Sequence, residues 1–230
     1  MNDHLFTIDP EVRRAFPELQ VGLAVLEGVS VTRQQPGVES LVEEVLGEIR
    51  GALEGRSVAS LPRVQAFRQI YRRFGVDPGQ FRPSAEALVS RARDPSKRFP
   101  RINTVVDIYN VTSAQLQLPM AAYDMACITP PVCLRFSVAG EHHLGIGADQ
   151  PATLPAGELI YADASMVLCR AYNYRDADRT KVTEQTTDLV LFVDACGGVD
   201  RAEVLAAVDL VSSRIETLIG GKRTFGSVYP

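Results

Sequence analysis

Histidine is scarce in this chain of 230 residues, which has only His4, His142 and His143. So few imidazoles make a Ser/His/Asp triad hard to assemble, and they disfavour His-based zinc catalysis equally. His142 and His143 are adjacent, so on a strand they point to opposite sides and form a poor metal pair. Surface positions are expected for both. The four cysteines, Cys127, Cys133, Cys169 and Cys196, include no Cys-x-x-Cys spacing. That pattern predicts reduced, mostly buried thiols in a cytoplasmic protein, not a disulfide framework or a zinc site. No glycine-rich loop leads into Lys-Ser/Thr, so no triphosphate cradle is visible. No apolar run approaches the roughly 20 residues that span a bilayer. The opening Met-Asn-Asp-His-Leu-Phe-Thr-Ile-Asp lacks the basic region and apolar core of a secretory signal. Internal repeats, low-complexity tracts and long linkers are missing too, so residues 1–230 read as a single domain. No cofactor, no metal and no membrane partner are expected.

What is present is an ordinary soluble composition, 46% hydrophobic and 23% charged, with a net charge of −4. That charge weighs against a polyanion partner until its distribution is considered. Residues 63–101 hold ten cations, nine of them Arg, against only Asp77, Glu86 and Asp94, while residues 1–62 carry an acidic excess. A basic band on an acidic protein is the footprint of a polyanion, and Arg favours bidentate phosphate contacts over diffuse charge. Arg68, Arg72, Arg73, Arg82, Arg98 and Arg101 are the candidate phosphate contacts. The competing reading is a salt-bridged helical face.

Apolar periodicity predicts helices near residues 11–16, 39–54, 65–74, 83–93, 103–117 and 200–219. Strands are expected over 21–31, 157–163, 166–169 and 189–193, and a hairpin is expected from 132–138 and 142–146 with its turn at 139–141. Helices cluster early and strands late, which gives an α+β layered domain instead of a βαβ alternation. In the 103–117 helix, Ile102, Val105, Val106 and Tyr109 form an apolar stripe suited to the core. Asn103, Asp107 and Asn110 fall at i, i+4 and i+7 and share the other face. These three either cap and brace neighbouring loops or hold a substrate by hydrogen bonds.

The segment 169–186 lies between two apolar strands and is mostly polar. A connection that long is costly to order unless it works at a site. Arg175, Arg179 and Lys181 stand near its tip beside Thr183, Glu184 and Thr186, a set that suits an anion or sugar with a carboxylate nearby. A solvated hairpin with ordinary charges is the alternative.

The sequence Arg101-Ile-Asn-Thr-Val-Val-Asp-Ile-Tyr-Asn110, followed by Leu118-Pro-Met-Ala-Ala-Tyr-Asp124, resembles the editing domain of the beta subunit of bacterial phenylalanyl-tRNA synthetase, its third and fourth B modules. Tyr71-Arg-Arg-Phe-Gly, Phe81-Arg-Pro-Ser-Ala-Glu-Ala-Leu88 and the polar hairpin 173–186 resemble free-standing proteins built from that module alone. The resemblance covers residues 63–196. It implies the layered α+β editing fold and a protein that hydrolyses mischarged aminoacyl-tRNA in trans, with the aminoacylated 3′ end of tRNA as partner. Asn103, Asp107, Asn110, Pro119 and Asp124 match its motif, and Tyr123 replaces the usual Phe. Ala121 stands where the synthetase pattern has a His, and Phe192 where it has a Glu. Ester hydrolysis needs a positioned water and charge stabilisation, and the vicinal ribose hydroxyl can share the proton work, so no protein nucleophile is required. Glu184, Asn103 and Asp107 are then the catalytic candidates. Asn110, Tyr123, Asp124, Tyr161, Asp163, Asn173, Thr180, Thr183 and Thr186 are the pocket candidates. Arg175, Arg179 and Lys181 join the arginine band as the tRNA contacts. The alternatives are a tRNA- or RNA-binding module without catalysis, and a binder of a free amino acid or related small molecule.

Overall fold

The computed structural model describes residues 5–230. His4, and the first four residues of the opening segment, lie outside them. The chain begins with β1 (Phe6–Ile8), α1 (Pro10–Ala15) and β2 (Gln20–Glu27). Four helices follow: α2 (Pro36–Ala52), α3 (Pro62–Arg73), α4 (Ser84–Arg93) and α5 (Thr104–Leu116). Next come β3 (Met120–Asp124), β4 (Val132–Phe136), β5 (His142–His143), β6 (Ala152–Thr153) and β7 (Leu159–Ala162). The chain closes with β8 (Val167–Arg170), β9 (Arg175–Asp176), β10 (Leu189–Ala195), α6 (Arg201–Ile219) and β11 (Lys222–Tyr229).

Local chemistry explains the boundaries. Proline opens α2 and α3 at the first helical position, where its missing N–H costs nothing. Asp200 and Glu203 form a reciprocal capping box at the start of α6. Gly220 and Gly221 follow that helix at φ 77° and 86° and turn the chain into β11.

The strands make two main sheets. One has the order β1-β4-β7-β8-β9, with β1 parallel to β4; the other is antiparallel with the order β11-β2-β10-β3. Aromatic rings join them. Phe6 of the first sheet meets Phe192 of the second at 5.3 Å between centroids, and Tyr161 meets Phe192 at 5.4 Å. The other face of the second sheet takes α6. A Cβ on Gly22 in β2 would lie 2.6 Å from Val208, so only glycine allows this close approach. Sheets and helices are therefore layered, in the α+β class the sequence predicts.

Some expectations fail, each for a physical reason. β4 does not form a hairpin with 142–146: it lies between β1 and β7, and β5 pairs with β6. His143 is not a surface residue but 3% exposed, because the short β5–β6 ribbon turns it inward while His142 faces solvent. Ile102 precedes the first turn of α5 instead of joining its core stripe and is 46% exposed. The four cysteines are free thiols, Cys169 and Cys196 buried and the other two half-buried. Among the described residues, no helix is long and apolar enough to cross a membrane.

Candidate functional site

The polar segment is clamped to the core from its first residue. Ala171 and Tyr172 leave β8 with φ of 47° and 65°, a left-handed pair that non-glycine residues adopt only under constraint. Glu158, itself buried, supplies much of that constraint. It accepts the Ala171 N–H at 2.8 Å and the Arg170 guanidinium at 3.1 and 2.8 Å. The Tyr172 N–H donates to the Leu159 carbonyl at 2.6 Å. Asn173 then enters a buried network. The Tyr71 hydroxyl donates to its Oδ1 at 2.8 Å, and its Nδ2 donates to Asp194 at 3.3 Å. Asp194 also accepts from the Tyr161 hydroxyl. Burial pushes the Asp194 carboxyl up to about 7, against the opposing pull of the Tyr161 and Asn173 hydrogen bonds.

The return half docks on β3 and α5. The Tyr123 hydroxyl donates to Asp176 at 2.9 Å, and burial raises the Asp176 pKa. Tyr123 forms a backbone bridge to Lys181, and the Asn103 Nδ2 donates to the Val182 carbonyl at 3.0 Å. The Thr186 hydroxyl donates to Asp124 at 2.6 Å and accepts the Thr183 N–H at 3.0 Å. Asn103, Tyr123, Asp124, Thr183 and Thr186, far apart in sequence, thus meet around one loop. It is not a solvated hairpin, because Ala171, Tyr172, Asn173, Ala177, Thr180, Val182 and Thr186 are buried along it.

The polar face of α5 is largely committed to the fold. Asn103 is the N-cap and accepts the Val106 N–H at 3.0 Å. Asp107 is 2% exposed; it accepts the Ile102 N–H at 2.7 Å and the Arg101 Nε at 2.8 Å. Asn110 is half-buried. Asp163 closes a turn, taking N–H groups from Thr129, Ser165 and Met166 at 2.7, 2.7 and 2.8 Å. The Thr180 Oγ1 is buried with no hydrogen-bond partner among the described residues. Glu184 is exposed and has no hydrogen-bond partner among the described residues. Arg179, five residues earlier, is also exposed, Arg175 donates to the Ile146 carbonyl at 2.9 Å, and Lys181 pairs with Asp178 at 2.6 Å. Ala121 and Phe192, the two departures from the synthetase pattern, are direct cross-strand partners on β3 and β10.

The arginine band divides. Arg68 is bidentate to buried Glu86 at 2.7 and 2.5 Å, Arg73 binds Glu18 and the Ala15 carbonyl, and Arg101 holds Asp107. Arg82 reaches Glu86 at 3.5 Å but remains exposed. The side chains of Arg72, Arg93 and Arg98 are exposed with no partner among the described residues. The salt-bridged face and the free cationic surface therefore coexist in one band.

Sequence reasoning did not single out Glu158, Tyr71, Asp176 or Asp194 as parts of this arrangement. Asp194 leaves a visible signal, a lone carboxylate inside Leu-Val-Leu-Phe-Val-Asp-Ala. Among the described residues, no group of three or more His, Cys, Asp and Glu is arranged to hold a metal ion.

Layered sheets with flanking helices and an anchored polar loop define the class of domain. Residues 66–220 match the B3/4 domain family, and the chain belongs to that family. Among solved structures, an N-terminal fragment of the phenylalanyl-tRNA synthetase beta-subunit from Pyrococcus horikoshii is similar at 14% identity and a TM-score of 0.49. The match covers 99% of this chain and 55% of that one, so this chain spans about half the length of the fragment. No curated protein matches the chain.

Proposed function

We propose that this B3/4 domain binds tRNA at its aminoacylated 3′ end and hydrolyses mischarged aminoacyl-tRNA in trans. Supporting this reading is the meeting of loop 171–186 with Asn103, Tyr123 and Asp124, which leaves Arg175, Arg179 and Glu184 exposed on one short stretch of loop. Cations there suit the terminal phosphates, and a free carboxylate suits a water. Glu184 accepts a proton from that water as its oxygen attacks the ester carbonyl. The bond to the ribose oxygen then breaks, and the proton passes to that oxygen with help from the vicinal hydroxyl. Asn103 acts here by bracing the loop through the Val182 carbonyl, and Asp107 by holding Arg101 and the Ile102 N–H at the start of α5, not by touching substrate.

A second reading is a tRNA-binding module without catalysis. It is favoured by the apolar Ala121–Phe192 pair at the positions where the synthetase pattern carries His and Glu. The test is tRNA binding and deacylation over a panel of mischarged tRNAs, with the wild type and Glu184→Gln. Hydrolysis lost in the variant with binding kept supports the first reading. Binding without any wild-type hydrolysis gives the second, and no binding by the wild type refutes both.

A further inference from the structure

Three surface depressions, of about 240, 300 and 430 Å³, adjoin one another around the C-terminal ends of α2 and α4. They are linked by shared cationic walls. Arg50 lines the first and third, Arg93 the second and third, and Lys97 the first and second. Arg82 adds to the second, while Arg98 and Arg101 add to the first. Carboxylates are present but partly occupied: Glu86 is held by Arg68, and Asp94 pairs with Lys97 at 3.3 Å. Glu43 and Glu54 also lie on the walls. Arg50 is fixed in place by donating its Nε to the Ala92 carbonyl at 3.2 Å, which ties α2 to α4. The side chains of Arg93 and Arg98 are exposed with no partner among the described residues, while the Arg98 carbonyl accepts from the Arg91 guanidinium at 3.4 Å.

We propose that these linked depressions take the phosphate backbone of an RNA stem. A single small anion needs one basic cup, whereas successive cups joined by shared cations suit a ligand with repeating charges. Guanidinium groups also suit phosphate oxygens geometrically. The inference rests on the tRNA reading above and adds to it where the stem lies: on the α2–α4 surface, with Arg50 from outside the arginine band and with Arg93 and Lys97, which are not among the candidate phosphate contacts read from the sequence. Cations at helix C-termini also offset the helix dipoles, and that is the role to be tested against.

The test is titration of the full chain with a labelled tRNA at several salt concentrations, comparing wild type with the double variant Arg93→Glu, Lys97→Glu. Both side chains are exposed, so melting temperature should hold; Arg93→Ala with Arg98→Ala provides a second, milder pair. The site predicts that affinity falls at least about tenfold at low salt and that the slope of log K against log salt shallows by about two in the first variant. The milder pair should shallow it by the same number without charge reversal. Arg179→Glu, on the polar loop, should leave the contribution of this surface intact. Wild-type binding that is unchanged in both pairs overturns the site while leaving the tRNA reading standing. No wild-type binding overturns both. Tripolyphosphate that displaces tRNA as effectively, charge for charge, overturns the assignment to a nucleic-acid strand.

Discussion

Replacing Asp107 separates a brace from a substrate contact. Its carboxylate lies in the first turn of α5, 2% exposed, with the Arg101 Nε at 2.8 Å and the Ile102 N–H at 2.7 Å. A charge-assisted hydrogen bond of this kind contributes about 1.5–3 kcal/mol. An acidic group at a helix N-terminus adds about 0.3–1 kcal/mol. The Ile102 amide loses its partner too, but Ile102 is 46% exposed and water reaches it. Arg101 can likewise swing to solvent, so the penalty of about 3–5 kcal/mol for stranding a buried ion does not apply in full. Asp107→Ala should therefore cost about 3 kcal/mol of unfolding free energy. Asp107→Asn keeps an acceptor for Ile102 and should cost about half as much. Urea denaturation followed by circular dichroism measures both, and a cycle with Arg101→Ala should return a coupling of about 1–2 kcal/mol. A fully stable Asp107→Ala that loses tRNA binding or hydrolysis would refute the bracing argument and place Asp107 at the substrate.

Two buried groups should give opposite pH slopes. Burial lowers His143 to about 4, so protons bind the unfolded chain preferentially and stability falls as pH drops from about 6.5 to 4. Burial raises Asp194 to about 7, so its contribution is complete below about 4 and is lost as pH rises to 7. Relative to the wild type, His143→Gln should lose stability more steeply as pH rises and Asp194→Asn more steeply as pH falls; variant profiles that both parallel the wild type would refute both assignments. Gly22→Ala should cost about 1–3 kcal/mol because its Cβ meets Val208 and Val204 at 2.6 and 2.9 Å. Gly47→Ala, with open space around it in α2, should gain about 0.5–1 kcal/mol, and thermal melts of the pair decide whether α6 packing or backbone freedom governs. The chain is proposed to be one folding unit, so far-UV circular dichroism and tyrosine fluorescence should report a single coincident urea transition; separated midpoints would refute it.

Local chemistry made most helices readable. α4 and α6 carry their own start and stop signals in Pro83, Arg93, Asp200 and Gly220, so neighbours in sequence suffice to bound them. Sheet partners were not readable that way. β4 runs beside β1, which is three residues long and far away in sequence, and nothing in either segment names the other. β11 mostly alternates exposed and half-buried residues, with only Val228 buried, on the edge of its sheet, with a bulge between Arg223 and Phe225, and gives little apolar signal. A basic band likewise reveals charge but not pairing. Arg68 and Arg72 are four residues apart on one helix, yet one is locked to Glu86 and the other is exposed, a difference set by α4 packing and not by either residue's type.

The polar loop is the sharper case. Its charges are evident in sequence, but what orders it is a set of buried acceptors contributed by other strands. Asp194 stands in a strand buried on both faces, where no alternation distinguishes inward positions. Its donors, Tyr161 and Asn173, are 33 and 21 residues away, and Tyr71 reaches Asn173 across 102. An unpartnered carboxylate in that strand would cost several kcal/mol, so the lone Asp already required donors. Which donors depends on the β7–β8 register and on α3 lying beneath Asn173. The left-handed turn at Ala171 and Tyr172 has the same origin. No residue type there demands positive φ, and the turn persists because Glu158 and Leu159 bind its amides from the adjoining strand. Loop geometry at the candidate site is thus imposed by the sheet behind it. Substitutions in that sheet, at Glu158 above all, should move the exposed Arg175, Arg179 and Glu184 without touching them.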